Sequence, residues 1–276
     1  LRVGIEKSRN LMTVRLAQSV GMNVVADYAE RFGVYDDMPA HLSYSLGAGE
    51  TTLYKMVAAY GMFANGGRRV EPTLVDRIQD RRGRTIYRQD QRICAECADE
   101  NGYEGHEPWP VPTARRIMDR VTAYQLVSMM QGVVSRGTAR GTVGQLGLPI
   151  AGKTGTTNDA KDVWFIGFTP EIVAGCYIGF DTPRNLGRGA SGGRFCGGVY
   201  ADFMETAAKD HGSYVFPRPP DTVLVKIDRY SGARVADDAS GDGVVAELFR
   251  AGEEPDYGYY GGYVDGGFAM GQDLLL

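Results

Sequence analysis

An α+β domain, with helices grouped ahead of an antiparallel sheet, is the fold class that the sequence predicts. Two observations carry it. Up to about residue 135 apolar side chains recur mostly at helical spacing, and from Ile150 the period shortens to that of strands joined by turns too short for a crossover. That order sets a sheet beside helical layers and leaves a groove along one sheet edge. The size agrees: 276 residues, 43% hydrophobic and 23% charged, suffice for a large core in one sizeable domain or two small ones.

Taken in order, Leu11, Met12, Leu16 and Val20 form a helical stripe ended by Gly21, and Val24, Val25, Tyr28, Ala29 and Phe32 form a second ended by Gly33. Residues 51–64 make a third helix, closed by Asn65-Gly66-Gly67, with Thr52 as a structural cap. Residues 70–87 read as a strand pair turning at Arg82-Gly83. Residues 94–112 are rich in Gly, Pro and acid and read as loop. Thr122 is expected to cap a fourth helix, whose buried face is Leu126, Met130, Val133 and Val134. Three strands follow at residues 150–156, 163–169 and 172–180. A further pair is expected at residues 223–228, turning at Ser231-Gly232 and returning through Val235. One domain is expected to run from residue 1 to 252. Residues 253–276 are Gly/Tyr-rich without an apolar period and read as a disordered tail.

The chemistry concentrates in two short strings. Lys153-Thr154-Gly155-Thr156-Thr157 suits an extended edge strand. There Lys153 offers a cation, Thr154 and Thr156 offer hydroxyls to a carboxylate, and Gly155 removes a side chain where a ligand backbone lies close. The backbone N–H near Thr156 is a candidate donor to an oxyanion. Ser8-Arg9-Asn10 lies at a helix entrance, where Ser8 and Asn10 can face one groove. Ser8 is a candidate proton relay to a leaving group, and Asn10 a candidate donor to a substrate carbonyl that also orients a lysine. Both strings belong to serine acyl-transfer sites, which also need a serine three residues before a lysine. No Ser-x-x-Lys occurs; Thr52-Leu53-Tyr54-Lys55 comes near it but reads as an ordinary amphipathic helix. The chain opens on Leu1, so the nucleophile is expected upstream of this sequence.

Other classes fit less well. Gly147 to Thr154 matches the phosphate-binding pattern GxxxxGK[ST], which requires a strand before the first glycine and a helix at the lysine. The polar stretch before Gly147 and the poor helix formers after Lys153 argue against both. The net charge of −4 excludes a broadly basic polyanion surface, and the cluster Arg77 to Arg88 alternates with Asp76, Asp80 and Asp90 as a solvated hairpin. No nucleic-acid partner is expected. His41, His106 and His211 stand apart without metal-ligand spacing, and no metal is expected. Cys94 and Cys97 read as a small loop disulfide or two thiols without function, ahead of a redox centre or half a zinc site. Cys176 and Cys196 read as packing residues. No apolar run is long enough to span a bilayer.

Together these strings, with Glu6-Lys7-Ser8-Arg9-Asn10-Leu11, Ala58-Ala59-Tyr60-Gly61-Met62-Phe63-Ala64-Asn65-Gly66-Gly67, Arg136-Gly137-Thr138-Ala139 and Asp162-Val163-Trp164-Phe165-Ile166-Gly167-Phe168-Thr169-Pro170, make the chain resemble the transpeptidase domain of class A penicillin-binding proteins. The resemblance implies a five-stranded antiparallel sheet between helical layers, as in serine β-lactamases. It implies peptidoglycan D,D-transpeptidation on D-Ala-D-Ala stem peptides, with β-lactams as inhibitors and no cofactor. Ser8 and Asn10 match the second motif, and Lys153, Thr154, Gly155 and Thr156 the third. It also implies a parent protein with a membrane anchor and a glycosyltransferase domain, working on the periplasmic side of a bacterial inner membrane, where regulators of wall synthesis are possible partners. An isolated fragment without the nucleophile is expected to be inactive. A serine β-lactamase and a non-catalytic module that binds wall peptides or β-lactams are the alternatives.

Overall fold

The computed structural model describes residues 1–92, 112–209 and 215–258. The expected Cys94/Cys97 loop and most of the expected tail lie outside the described residues. The chain forms two compact units, Leu1–Pro219 and Pro220–Leu276. The span 1–252 read as one domain thus takes in the first unit and part of the second.

In the first unit, helices α1 (Arg2–Glu6), α2 (Asn10–Val20), α3 (Met22–Arg31) and α4 (Leu53–Ala64) come first. Thr52 caps α4 as expected, its side chain accepting from the Lys55 amide. The stripe Leu11, Leu16 and Val20, expected to be buried, is instead 44–63% exposed among the described residues. Only Ala17 of α2 is buried; Met12 and Val14 are half-buried, and Met12 lies against Gly4 of α1. A short hairpin, β1 (Arg77–Gln79) and β2 (Thr85–Arg88), turns on Asp80, whose carboxylate accepts from the Arg82 and Arg84 amides at 2.8 and 3.0 Å.

Helix α5 (Arg120–Ser135) is capped by Asp119, not by Thr122 as the sequence suggested. Asp119 Oδ1 accepts from the amides of Val121 and Thr122 at 2.9 and 3.1 Å. A carboxylate beside the positive end of a helix outcompetes a hydroxyl one turn further in.

The sheet is antiparallel in the order β3-β4-β5, from β3 (Ala151–Thr156), β4 (Asp162–Phe168) and β5 (Val173–Gly179). Of the five strands the resemblance implies, the described residues of this unit form these three. Side chains alternate across β4. Val163 and Phe165 meet Tyr200 and Met204 of α6 (Phe195–Ala207) on one face. On the other, Phe168 packs with Val127 and Met130 of α5, and Gly175 of β5 lies against Leu53 and Val57 of α4. Helices therefore cover both faces of the sheet, and β3 keeps one edge open.

Cys176 and Cys196, read from the sequence as packing residues, are joined as a disulfide across 20 residues, with Cα atoms 5.3 Å apart. Cys176 stands opposite Phe165 on the sheet face that α6 covers, which brings it to the first turn of that helix. Local sequence context gives no sign of this meeting.

In the second unit β6 (Thr222–Asp228) pairs with β7 (Val244–Arg250). The return through Val235 is short, with its amide donating to the Lys226 carbonyl and the Asp228 amide donating to the Ala233 carbonyl around a bridge at Ile227 and Arg234, so the main partner is β7. The start of the expected tail is tied down: Arg234 donates to the Asp256 carbonyl and accepts from the Gly258 amide, both at 3.0 Å.

Closing a loop of this size with a disulfide stabilises a domain by about 3 kcal/mol. Cys176→Ser should therefore lower the melting temperature of this domain by roughly 5–10 °C in calorimetry. In the unsubstituted protein neither cysteine should take up iodoacetamide until a reductant is added; ready labelling of both would remove the bond from this account.

Candidate functional site

The two strings singled out in the sequence meet. Lys153 Nζ donates to Ser8 Oγ at 2.7 Å across 145 residues of chain, and to the Thr154 carbonyl at 2.9 Å. Strand β3 supplies the lysine, and the turn between α1 and α2 supplies the serine.

Helix α1 has five residues and cannot hold itself. It is fastened to the end of α5. Glu6 has no exposed surface, and its carboxylate accepts from Arg136 Nη2 at 2.6 Å, with Arg2 Nη1 4.0 Å away. Arg2 in turn donates to the carbonyl and hydroxyl of Ser128, both at 3.0 Å. Lys7 Nζ donates to the Arg136 carbonyl at 2.7 Å, and the Thr138 amide to the Glu6 carbonyl at 3.2 Å. Ser8 follows with φ of 52°, a left-handed conformation that costs a non-glycine residue roughly 1–2 kcal/mol. Arg9 is the N-cap residue, so Asn10 opens α2 instead of sharing the turn, and its exposed side chain makes no hydrogen bond to a described residue.

On β3 the residues alternate between the two faces of an edge strand. Lys153 turns toward the Ser8 side. Burial pushes its amine down to about 8, and no carboxylate among the described residues offsets the loss of water there. Thr154 and Thr156 turn the other way: Thr154 Oγ1 lies 2.7 Å from Thr138 Oγ1, and Thr156 Oγ1 accepts from the Gly192 amide at 3.0 Å. A side chain at Gly155 would press on Trp164 Cβ at 3.1 Å, so the glycine is favoured by the neighbouring strand as well as suited to an approaching ligand. The phosphate-loop reading of Gly147 to Thr154 fails here, because Lys153 sits inside a strand and not at a helix start.

The arrangement can hold an anion against a cation and two hydroxyls. It can also pass a proton between a hydroxyl and an amine of lowered basicity. Among the described residues no three His, Cys, Asp or Glu side chains group as a metal site. Sequence reasoning gave no roles to Glu6, Arg136, Thr138 or the Gly192-Gly193 pair. Glu6, Arg136 and Thr138 stood in strings that were noted only for their likeness, and the glycines carried no signal at all.

Residues 1–179 match the family model described as penicillin binding protein transpeptidase domain. The chain is 45% identical over 234 residues to Penicillin-binding protein 1A of Rickettsia bellii, covering 84% of this chain and 30% of that protein. It is 35% identical over 278 residues to Penicillin-binding protein 1A of Neisseria meningitidis, covering 99% of this chain and 32% of the relative. The chain therefore spans about three tenths of the length of these curated relatives. The crystal structure of Penicillin-Binding Protein 1A from Haemophilus influenzae superposes with a TM-score of 0.75 at 30% identity, over 94% of this chain and 41% of that one.

Two outcomes follow from the strained serine and the dehydrated lysine. The Lys153 pKa lies below its unfolded value near 10.5, so the unfolded chain holds the extra proton between about pH 8 and 10.5. Folding stability should rise with pH across that window, and Lys153→Met should flatten the rise in urea titrations at pH 7.5 and 10. Ser8→Gly should leave stability unchanged or raise it by about 1 kcal/mol, whereas Ser8→Ala keeps the left-handed strain. A Gly variant that melts well below the Ala variant would show that the backbone at Ser8 is unstrained.

Proposed function

The chain belongs to the penicillin-binding protein transpeptidase family, and from that premise we propose that it forms the acyl-transfer site of a class A, bifunctional wall synthase on the periplasmic side of a bacterial inner membrane. The substrates on this reading are peptidoglycan stem peptides ending in D-Ala-D-Ala, and β-lactams are suicide analogues of them. The observation that supports it best is the 2.7 Å hydrogen bond from Lys153 to Ser8.

A serine oxygen attacks the carbonyl carbon of the penultimate D-Ala. The carbon–nitrogen bond to the last D-Ala breaks, and that nitrogen leaves with a proton. An amine of a neighbouring stem then attacks the ester, and the serine oxygen recovers its proton. The nucleophile is assigned to no residue of this sequence, which contains no Ser-x-x-Lys.

Ser8 stands as the proton relay to the leaving nitrogen, since its hydroxyl already accepts from an amine and can pass a proton onward. Lys153 keeps that hydroxyl oriented and supplies positive charge toward the substrate's terminal carboxylate. Thr154 and Thr156 donate to the same carboxylate, and Gly155 leaves room for the peptide backbone. The Thr156 amide is one donor to the oxyanion. Asn10, exposed at the start of α2, reaches the substrate carbonyl.

The test uses the product of the complete reading frame, incubated with benzylpenicillin and weighed intact. A covalent adduct on a serine is expected, and Lys153→Ala should slow its formation by about a hundredfold or more while the protein stays folded. Hydrolytic turnover of the drug would favour a β-lactamase. Acylation of Lys153→Ala at the normal rate would sink the role given to the lysine.

A further inference from the structure

The hydroxyls of Thr154 and Thr156 are flanked by groups to which the mechanism above gives no part. Thr138, on the connection between α5 and β3, places Oγ1 2.7 Å from Thr154 Oγ1, and Thr154 is 9% exposed. On the same side of β3 the Gly192 amide donates to Thr156 Oγ1. The segment carrying that amide is closely held. Thr142 Oγ1 donates to the Gly193 carbonyl at 2.7 Å, and the Gly197 amide to the Gly192 carbonyl at 2.8 Å. A Cβ on Gly192 would collide with the carbonyls of Trp164 and Gly155, and one on Gly193 with the carbonyl of Thr138. Only two glycines allow the backbone to pass this close to the strand.

Hydrogen-bond chemistry gives this contact a direction. An amide N–H can only donate, so Thr156 Oγ1 meets it with a lone pair and its own proton points elsewhere. In the Thr138–Thr154 pair either hydroxyl can donate. An anion beyond Thr154 selects the order in which Thr138 donates to Thr154 and Thr154 donates to the anion, because a chain of hydrogen bonds polarises along its length. Both threonines of β3 are then donors, and their bonds to a charged carboxylate are about twice as strong as those to the neutral carbonyl of an ester or amide.

We propose that Thr138 and the Gly192 amide, braced by Thr142, are positioning groups that fix the hydroxyls of Thr154 and Thr156 as donors and so set the preference of the site for a carboxylate over its neutral analogue. The inference rests on the acyl-transfer reading. Thr138 acts through Thr154 and does not touch the reacting atoms.

The experiment measures acylation of the product of the complete reading frame by benzylpenicillin and by its methyl ester, as a ratio of rate constants. Thr138→Val removes the hydroxyl at nearly constant shape and should lower the acid-to-ester ratio about tenfold, the effect expected on losing a hydrogen bond that serves a charged group. Thr138→Ser should restore the ratio. Thr142→Val, which releases Gly193 without touching Thr154, should lower it severalfold and serves if Thr138→Val folds poorly. Release of D-Ala from a D-Ala-D-Ala peptide and from its C-terminal amide repeats the comparison for a stem-peptide carboxylate, and a fall in either ratio supports the proposal for that source. Equal slowing of acid and neutral partners would overturn it in favour of a packing role. Acylation with an unchanged ratio in Thr138→Val overturns this inference alone, and no adduct on the unsubstituted protein overturns the acyl-transfer reading together with it.

Discussion

A carboxylate with no exposed surface governs where the reactive groups stand. Glu6 is held by Arg136 and lies beside Arg2, and through them a five-residue helix is seated on the end of α5. Helix α5 packs on β3, so the separation of Ser8 from Lys153 is decided by side chains that touch neither. Buried ion pairs add little net stability, since desolvation offsets most of the attraction. Their effect is on uniqueness. With Glu6 neutral or absent, the guanidinium of Arg2, only 6% exposed, would lose an ionic neighbour, and the turn carrying Ser8 would have fewer reasons to adopt a left-handed backbone.

The open edge of β3 completes the geometry. An edge strand is open to a ligand lying along it, and on the proposed reading Lys153 on one side and Thr154 and Thr156 on the other serve a single carboxylate. Exposed edges invite unwanted pairing. Here the edge is short and carries a lysine and a glycine, and the Gly192-Gly193 segment lies against its far side.

How much of this was legible in the sequence depends on the range of the interaction. Strands β3, β4 and β5 were legible because their period of two and their short turns are local signals, and Thr52 was readable as a cap because its partner amide is three residues away. Ser8 and Lys153 were legible through the residue types that acyl transfer demands. The Cys176–Cys196 bond was not, because it depends on which sheet face α6 covers. Nor was the exposure of Leu11, Leu16 and Val20, since an apolar stripe states what a helix can bury and not what covers it. The burial of Glu6 has no local sign, because its arginine, at the C-cap of α5, lies 130 residues away.

The same interactions explain why the site departs from the local rules that the rest of the chain obeys. An amine taken out of water without a carboxylate partner among the described residues and a serine held at positive φ are both unfavourable where they stand. Each departure has a chemical return. Desolvation brings the lysine pKa down to about 8, nearer to neutral pH, where a group exchanges protons most readily, and the left-handed turn carries the serine hydroxyl to within hydrogen-bond distance of that amine. The buried Glu6–Arg136 pair holds the helix that precedes Ser8, and the close-packed Gly192-Gly193 segment lies against the strand that carries Lys153. Strain persists only where the surroundings over-determine it, and these two braces are the surroundings that do so.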